Sequence, residues 1–88
     1  MKSKMKIAEN GNKEWYNSEG QYHREDGPAI ENANGNKAWI INGKFHREDG
    51  PALTFASGFK EWYINDVKCT EEEHKILIRR KKINSLKD

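Results

Sequence analysis

His23-Arg24-Glu25-Asp26-Gly27-Pro28-Ala29 returns letter for letter as His46-Arg47-Glu48-Asp49-Gly50-Pro51-Ala52, 23 positions later. Around that core, Asn36-Lys37-Ala38-Trp39 echoes Asn12-Lys13-Glu14-Trp15, and Phe59-Lys60-Glu61-Trp62 echoes both. The tryptophans step by 24 and then by 23. A fixed period in this range marks a repeat architecture, in which one unit cannot bury its apolar face without a neighbour. Two complete and two partial units are present, so the question becomes what a short stack of units presents.

Each unit opens on a strand signal rich in aromatic and β-branched residues: Lys13–Tyr16, Asn36–Ile41 and Phe59–Ile64. A tight turn follows. Asn42-Gly43 is a strong hairpin signal, because a type I′ turn needs positive φ at both central positions. Asn65-Asp66 is a weaker version of it, and Asn17-Ser18-Glu19-Gly20 is longer, which accounts for the 24-residue step. Second strands are expected at Gln21–His23, Lys44–His46 and Val67–Cys69. In Arg-Glu-Asp-Gly-Pro-Ala, Asp can bond nearby backbone, Gly supplies a φ other residues avoid, and Pro fixes φ. Together they predict a kink that re-aims the chain into Ala29–Asn32 or Ala52–Phe55. Residues 6–11 read as the tail of a preceding unit.

The last unit departs from this pattern at Cys69. Thr70 with Glu73 is a capping-box signature, three acids open the segment and six bases follow, so charges at both ends favour the helix dipole. A helix is predicted over 70–84, with Ile76, Leu77, Ile83 and Leu86 as its apolar stripe and Ile76 or Leu77 covering the last tryptophan. The expected fold is mainly β: an antiparallel β-hairpin repeat meander of about six to eight short strands with a C-terminal capping α-helix. It forms one domain, with repeats over 6–69, the helix over 70–84 and a tail over 85–88.

Composition narrows the class. Of 88 residues, 34% are hydrophobic and 34% charged, so the core must be thin. One cysteine, Cys69, excludes an intramolecular disulfide. No apolar run approaches the roughly 20 residues of a membrane helix, and the basic start lacks an apolar segment behind it. A soluble, cytoplasmic protein is expected. Net charge is +2, but the repeat body is acidic and both ends are basic.

Trp39-Ile40-Ile41-Asn42-Gly43-Lys44-Phe45-His46, with Ala56-Ser57-Gly58 ahead of Trp62, resembles the MORN repeat, a β-hairpin unit. The His-Arg-x-Asp-Gly-Pro-Ala variant is similar to repeats of small proteins from tailed bacteriophages and giant viruses. Those often end in a Thr-Glu-Glu-Glu helix, which Thr70-Glu71-Glu72-Glu73 matches, with Asp66 where Gly is usual. The resemblance spans roughly residues 10–84. It implies a scaffold for protein interaction or assembly and supplies no catalytic residues to carry over.

Residues recurring at one place in every unit are expected to hold the unit together. These are Trp15, Trp39 and Trp62 as a core ladder, then His23, Arg24, Asp26, Gly27, Pro28, His46, Arg47, Asp49, Gly50 and Pro51. Arg should pair with Asp26 or Asp49 and lie on an aromatic face, and His should bond a turn carbonyl. Tyr16, Tyr22 and Tyr63 recur less regularly and are candidates for an exposed binding face. Arg79, Arg80, Lys81 and Lys82 are the strongest electrostatic hint of an anionic partner, although the acidic body opposes a nucleic-acid backbone. Cys69, His74 and the two motif histidines lack paired metal-ligand spacing, so no metal, cofactor or catalytic site is expected.

The favoured function is a small non-enzymatic protein-binding module. An exposed strand edge would allow homodimer formation, and the viral resemblance implies a phage accessory protein that binds and inhibits a host or defence factor in the host cytoplasm. The competing classes are a nucleotide or nucleic-acid binder using the aromatics, His/Arg and the basic helix, and a structural assembly protein.

Overall fold

Asn42 and Gly43 take φ of 49° and 80°, and Asn65 and Asp66 take 48° and 70°. Both pairs therefore form the type I′ geometry that matches the twist of antiparallel strands. A computed structural model describes residues 3–87, with side chains described through Lys82. Its strands are β1 (Lys4–Ile7), β2 (Lys13–Tyr16), β3 (Ile30–Glu31), β4 (Lys37–Ala38), β5 (Ile40–Ile41), β6 (Lys44–Phe45), β7 (Leu53–Thr54), β8 (Lys60–Ile64) and β9 (Val67–Cys69). Helix α1 (Glu71–Lys87) closes the chain.

Seven strands form one antiparallel sheet in the order β1-β2-β3-β4-β7-β8-β9, and β5 pairs with β6 beside it. The fold is the expected hairpin meander with a C-terminal helix. Nine strands are described rather than six to eight, because the long strand expected over Asn36–Ile41 is broken at Trp39. Half of that segment joins the large sheet and half makes its own hairpin. Gln21–His23 forms only a Tyr16–Tyr22 bridge. Helix α1 runs on to Lys87, so residues expected as a tail continue it.

Strand alternation sorts the side chains onto two faces. Lys6, Glu14, Ile30, Ala38, Leu53 and Glu61 stand opposite one another in one row. Ile7, Lys13, Glu31, Lys37, Thr54 and Lys60 make the row on the other face. Trp15, Trp39 and Trp62 each follow a lysine of that second row by two residues and share its face.

Among the described residues the buried apolar ones are three alanines, Ala29, Ala38 and Ala52, and Ile40, with Tyr22, Ile30, Phe45 and Leu53 packed against Ala29, Ala38 and Ile40. The tryptophans are half-buried, so they do not form the expected core ladder. The repeat alanine disappears instead because it is bonded between strands. Ala29 donates to the Ala38 oxygen and accepts from the Trp15 amide, both at 2.8 Å.

Units are fastened forward by side chains. Asn12 Oδ1 accepts the Ala33 amide and Asn36 Oδ1 the Ala56 amide, each at 2.8 Å. His23 Nδ1 accepts the Asn42 amide at 2.9 Å, and His46 Nδ1 accepts the Asn65 amide at 3.1 Å. The histidines thus bond a turn N–H of the following unit, not a carbonyl. Accepting at Nδ1 leaves the proton on Nε2, which reaches Glu25 or Glu48.

Candidate functional site

The repeated loop is assembled around its arginine. Arg24 lies 4.0 Å from the Trp15 ring centroid, and Arg47 lies 3.7 Å from that of Trp39. Each donates through Nε to the Asp two residues on, at 3.0 and 2.9 Å, and through Nη1 to the proline oxygen, at 3.2 and 3.1 Å. A planar cation thus fills the space between an indole and a loop, as cation–π and fork geometry favour. The adjacent guanidinium holds the Asp49 carboxyl below its usual range. Gly27 and Gly50 do not use the positive φ expected of them. They leave room for the arginine, since a Cβ would stand 2.8 Å from Arg24 Cζ or 2.9 Å from Arg47 Cζ. Pro28 and Pro51 supply the accepting carbonyls.

The tyrosines turn inward on their neighbours. Tyr16 stacks on Tyr22 with centroids 5.0 Å apart, and Tyr63 meets Phe45 at 5.2 Å. Tyr16 donates to Glu14, which raises its phenol pKa, and Tyr63 donates to Glu61. All three rings are half-buried rather than displayed.

Helix α1 starts as a capping box: the Thr70 amide donates to Glu73 Oε1 at 2.8 Å, and the Glu73 amide to Thr70 Oγ1 at 3.1 Å. Its docking face is not the expected one. Ile76 and Leu77 are 48% and 44% exposed, whereas His74 is buried and its Nε2 donates to the Arg47 oxygen at 2.6 Å. Ile78, one turn on, faces Trp62 across a groove. The loop of the second unit offers a carbonyl, so a polar side chain docks there. Ile83 and Leu86 lie outside the described side chains.

This placement divides the basic cluster. Lys81 pairs with Glu48 and lowers its carboxyl pKa. Arg79 and Lys82 line the Trp62 groove, which measures about 520 Å³, while Arg80 is exposed away from it. Lys60, in the lysine row of the sheet, lines the same groove and gave no separate signal in the sequence. A second groove of about 850 Å³ lies between the two Arg-Glu-Asp-Gly-Pro loops, against Trp39.

At the sheet margin, all four residues of β1 are exposed, with Met5 at 51% and Ile7 at 58%. Among the described residues, no group of three or more His, Cys, Asp or Glu is placed to hold a metal ion. Cys69 is half-buried, and its thiol pKa is raised by burial and then by Glu73. No helix among the described residues is long and apolar enough to cross a membrane.

These features define an antiparallel β-hairpin repeat protein with a docked C-terminal helix. Scans of protein families, curated proteins and solved structures find no match to this chain.

Proposed function

We propose that this chain is a non-enzymatic binding module that takes an extended segment of a partner protein onto the β1 edge. The exposed strand carries the reading. Among the described residues β2 is the one strand that pairs with it, so its outer side offers backbone donors and acceptors, and Met5 and Ile7 share one face while Lys4 and Lys6 share the other. An added strand gains main-chain bonds from the edge and specificity from alternate side chains. Lys4 and Lys6 blunt one face of this margin as in natural sheets, whereas Met5 and Ile7 leave the other face apolar and able to receive a strand. The repeat histidines and arginines are committed to loop and turn bonds, which supports scaffold over catalysis.

The MORN-like sequence resemblance supports the setting of a phage accessory protein acting on a host or defence factor in the cytoplasm. Capture from a bacterial lysate tests the reading, with Met5→Glu/Ile7→Glu as control. The wild type should retain a partner that the variant loses, with little change in melting temperature. A dimer by light scattering that the same variant disperses would make a second copy of the chain the occupant. Monomeric protein that captures nothing above the control would overturn the proposal.

A further inference from the structure

The groove beside Trp62 and the groove beside Trp39 are the same place in successive units. Shifting Glu25, Asp26, Gly27, Pro28 and Trp39 by one 23-residue period gives Glu48, Asp49, Gly50, Pro51 and Trp62, which line the last groove. The opposite wall differs. Between the loops it is Arg47-Glu48-Asp49; at the end of the stack it is helix α1.

Two consequences follow. First, Thr70 stands one period after Arg47, and its hydroxyl is taken by the helix cap. Trp15 and Trp39 each carry a guanidinium, but among the described residues no cation lies over the Trp62 ring. Second, the charge reverses. The inter-loop groove sets two arginines against four carboxylates. In the last groove each carboxylate has a cation beside it: Glu48 has Lys81, Asp49 has Arg47, and Glu71 has Lys75, which it shares with Glu72. Lys60, Arg79 and Lys82 line it without an ion pair to any described residue.

From the open indole and the three uncommitted cations, we infer that the Trp62 groove binds a nucleoside phosphate, its base against Trp62 and its phosphates on Lys60, Arg79 and Lys82. This inference is independent of the β1 edge. The same indole position already holds a flat group twice in this molecule. A partner's cation would be repelled by the three bases, whereas a flat ring bearing negative charge satisfies both features. Ile78 adds an apolar wall, and about 520 Å³ lies within the range of small-molecule sites, roughly 300–1,000 Å³. A free nucleotide and the end of a single-stranded nucleic acid share this chemistry.

The test titrates the full chain with ATP, inorganic triphosphate and an eight-residue oligothymidylate, following tryptophan fluorescence and melting temperature. ATP should quench the fluorescence and raise the melting temperature, and triphosphate should bind at least tenfold more weakly without quenching. Arg79→Glu/Lys82→Glu, at exposed helix positions, should melt like the wild type and bind ATP at least tenfold more weakly. Tighter binding of the oligomer with steep salt dependence would assign the site to a single strand, and ATP bound more tightly than the oligomer, with a shallower loss of affinity in salt, would assign it to a free nucleotide. Triphosphate equal to ATP, affinity unchanged in the double variant, or no response to any ligand would overturn the inference.

Discussion

A Cβ added at Gly50 would lie 2.9 Å from Cζ of Arg47, inside any normal contact distance. Gly50→Ala should therefore lift the guanidinium from Trp39 and destabilise the protein by about 1–2 kcal/mol in urea melts, through the lost cation–π contact and hydrogen bonds of Arg47. The requirement for glycine was legible in the repeat, but its cause was not: local sequence suggests backbone twist, whereas the constraint comes from an arginine three residues earlier. The forward bonds of Asn12 and Asn36 were marked by the period alone. Acid response belongs at this scale too. Asp49 and Glu48 are held below their ordinary values of 3.8 and 4.5 by Arg47 and Lys81 respectively. A depressed folded pKa gives stability that is present above the ordinary value and lost as pH falls through the folded one. Stability should decline below about pH 4, modestly because both carboxylates are largely solvated. Asp49→Asn should flatten that decline in melts run from pH 6 to pH 2.

Helix α1 meets the repeats through His74 on the Arg47 oxygen, Lys81 on Glu48 and Ile78 at the Trp62 groove, and only the first of these is buried and polar. His74→Ala would leave the Arg47 carbonyl without its partner at the buried junction and should cost about 1–3 kcal/mol. The loss should appear as a lower melting temperature. The start of this helix was legible because Thr70 and Glu73 advertise a cap in three letters of spacing. Its docking face was not. Leu77 and Ile76 are the obvious apolar pair, but a helix turns whichever side answers the surface beneath it, and here that surface presents a carbonyl and an indole. The strands show the same division. β2 and β9 match their sequence signals residue for residue. The expected Asn36–Ile41 strand divides because Trp39 must reach Arg47 while Ile40 stays buried.

The whole molecule is a slab, 47 × 32 × 17 Å, scarcely thicker than a sheet with side chains on both faces. With so few apolar residues fully enclosed, each weighs heavily. Ile40→Ala should cost about 2–5 kcal/mol by equilibrium unfolding, a large part of the roughly 5–15 kcal/mol that holds a typical domain. The repeat made the architecture readable in advance. One wall of the Trp62 groove follows the period, but the groove was hidden because its other wall, with Arg79 and Lys82, comes from the helix that begins where the repeat stops. The forward fastening of each unit to the next has a last consequence, for length. One period contributes two strands to the large sheet, and neighbouring strands lie about 4.8 Å apart, so the chain is graduated in steps of about 10 Å. Because His46-Arg47 repeats His23-Arg24, a tandem duplication of residues 24–46 creates no foreign junction. Small-angle scattering of that longer chain should show its long dimension extended by about one graduation, roughly 10 Å, and a copy that bulged out instead would leave the ribbon its original length.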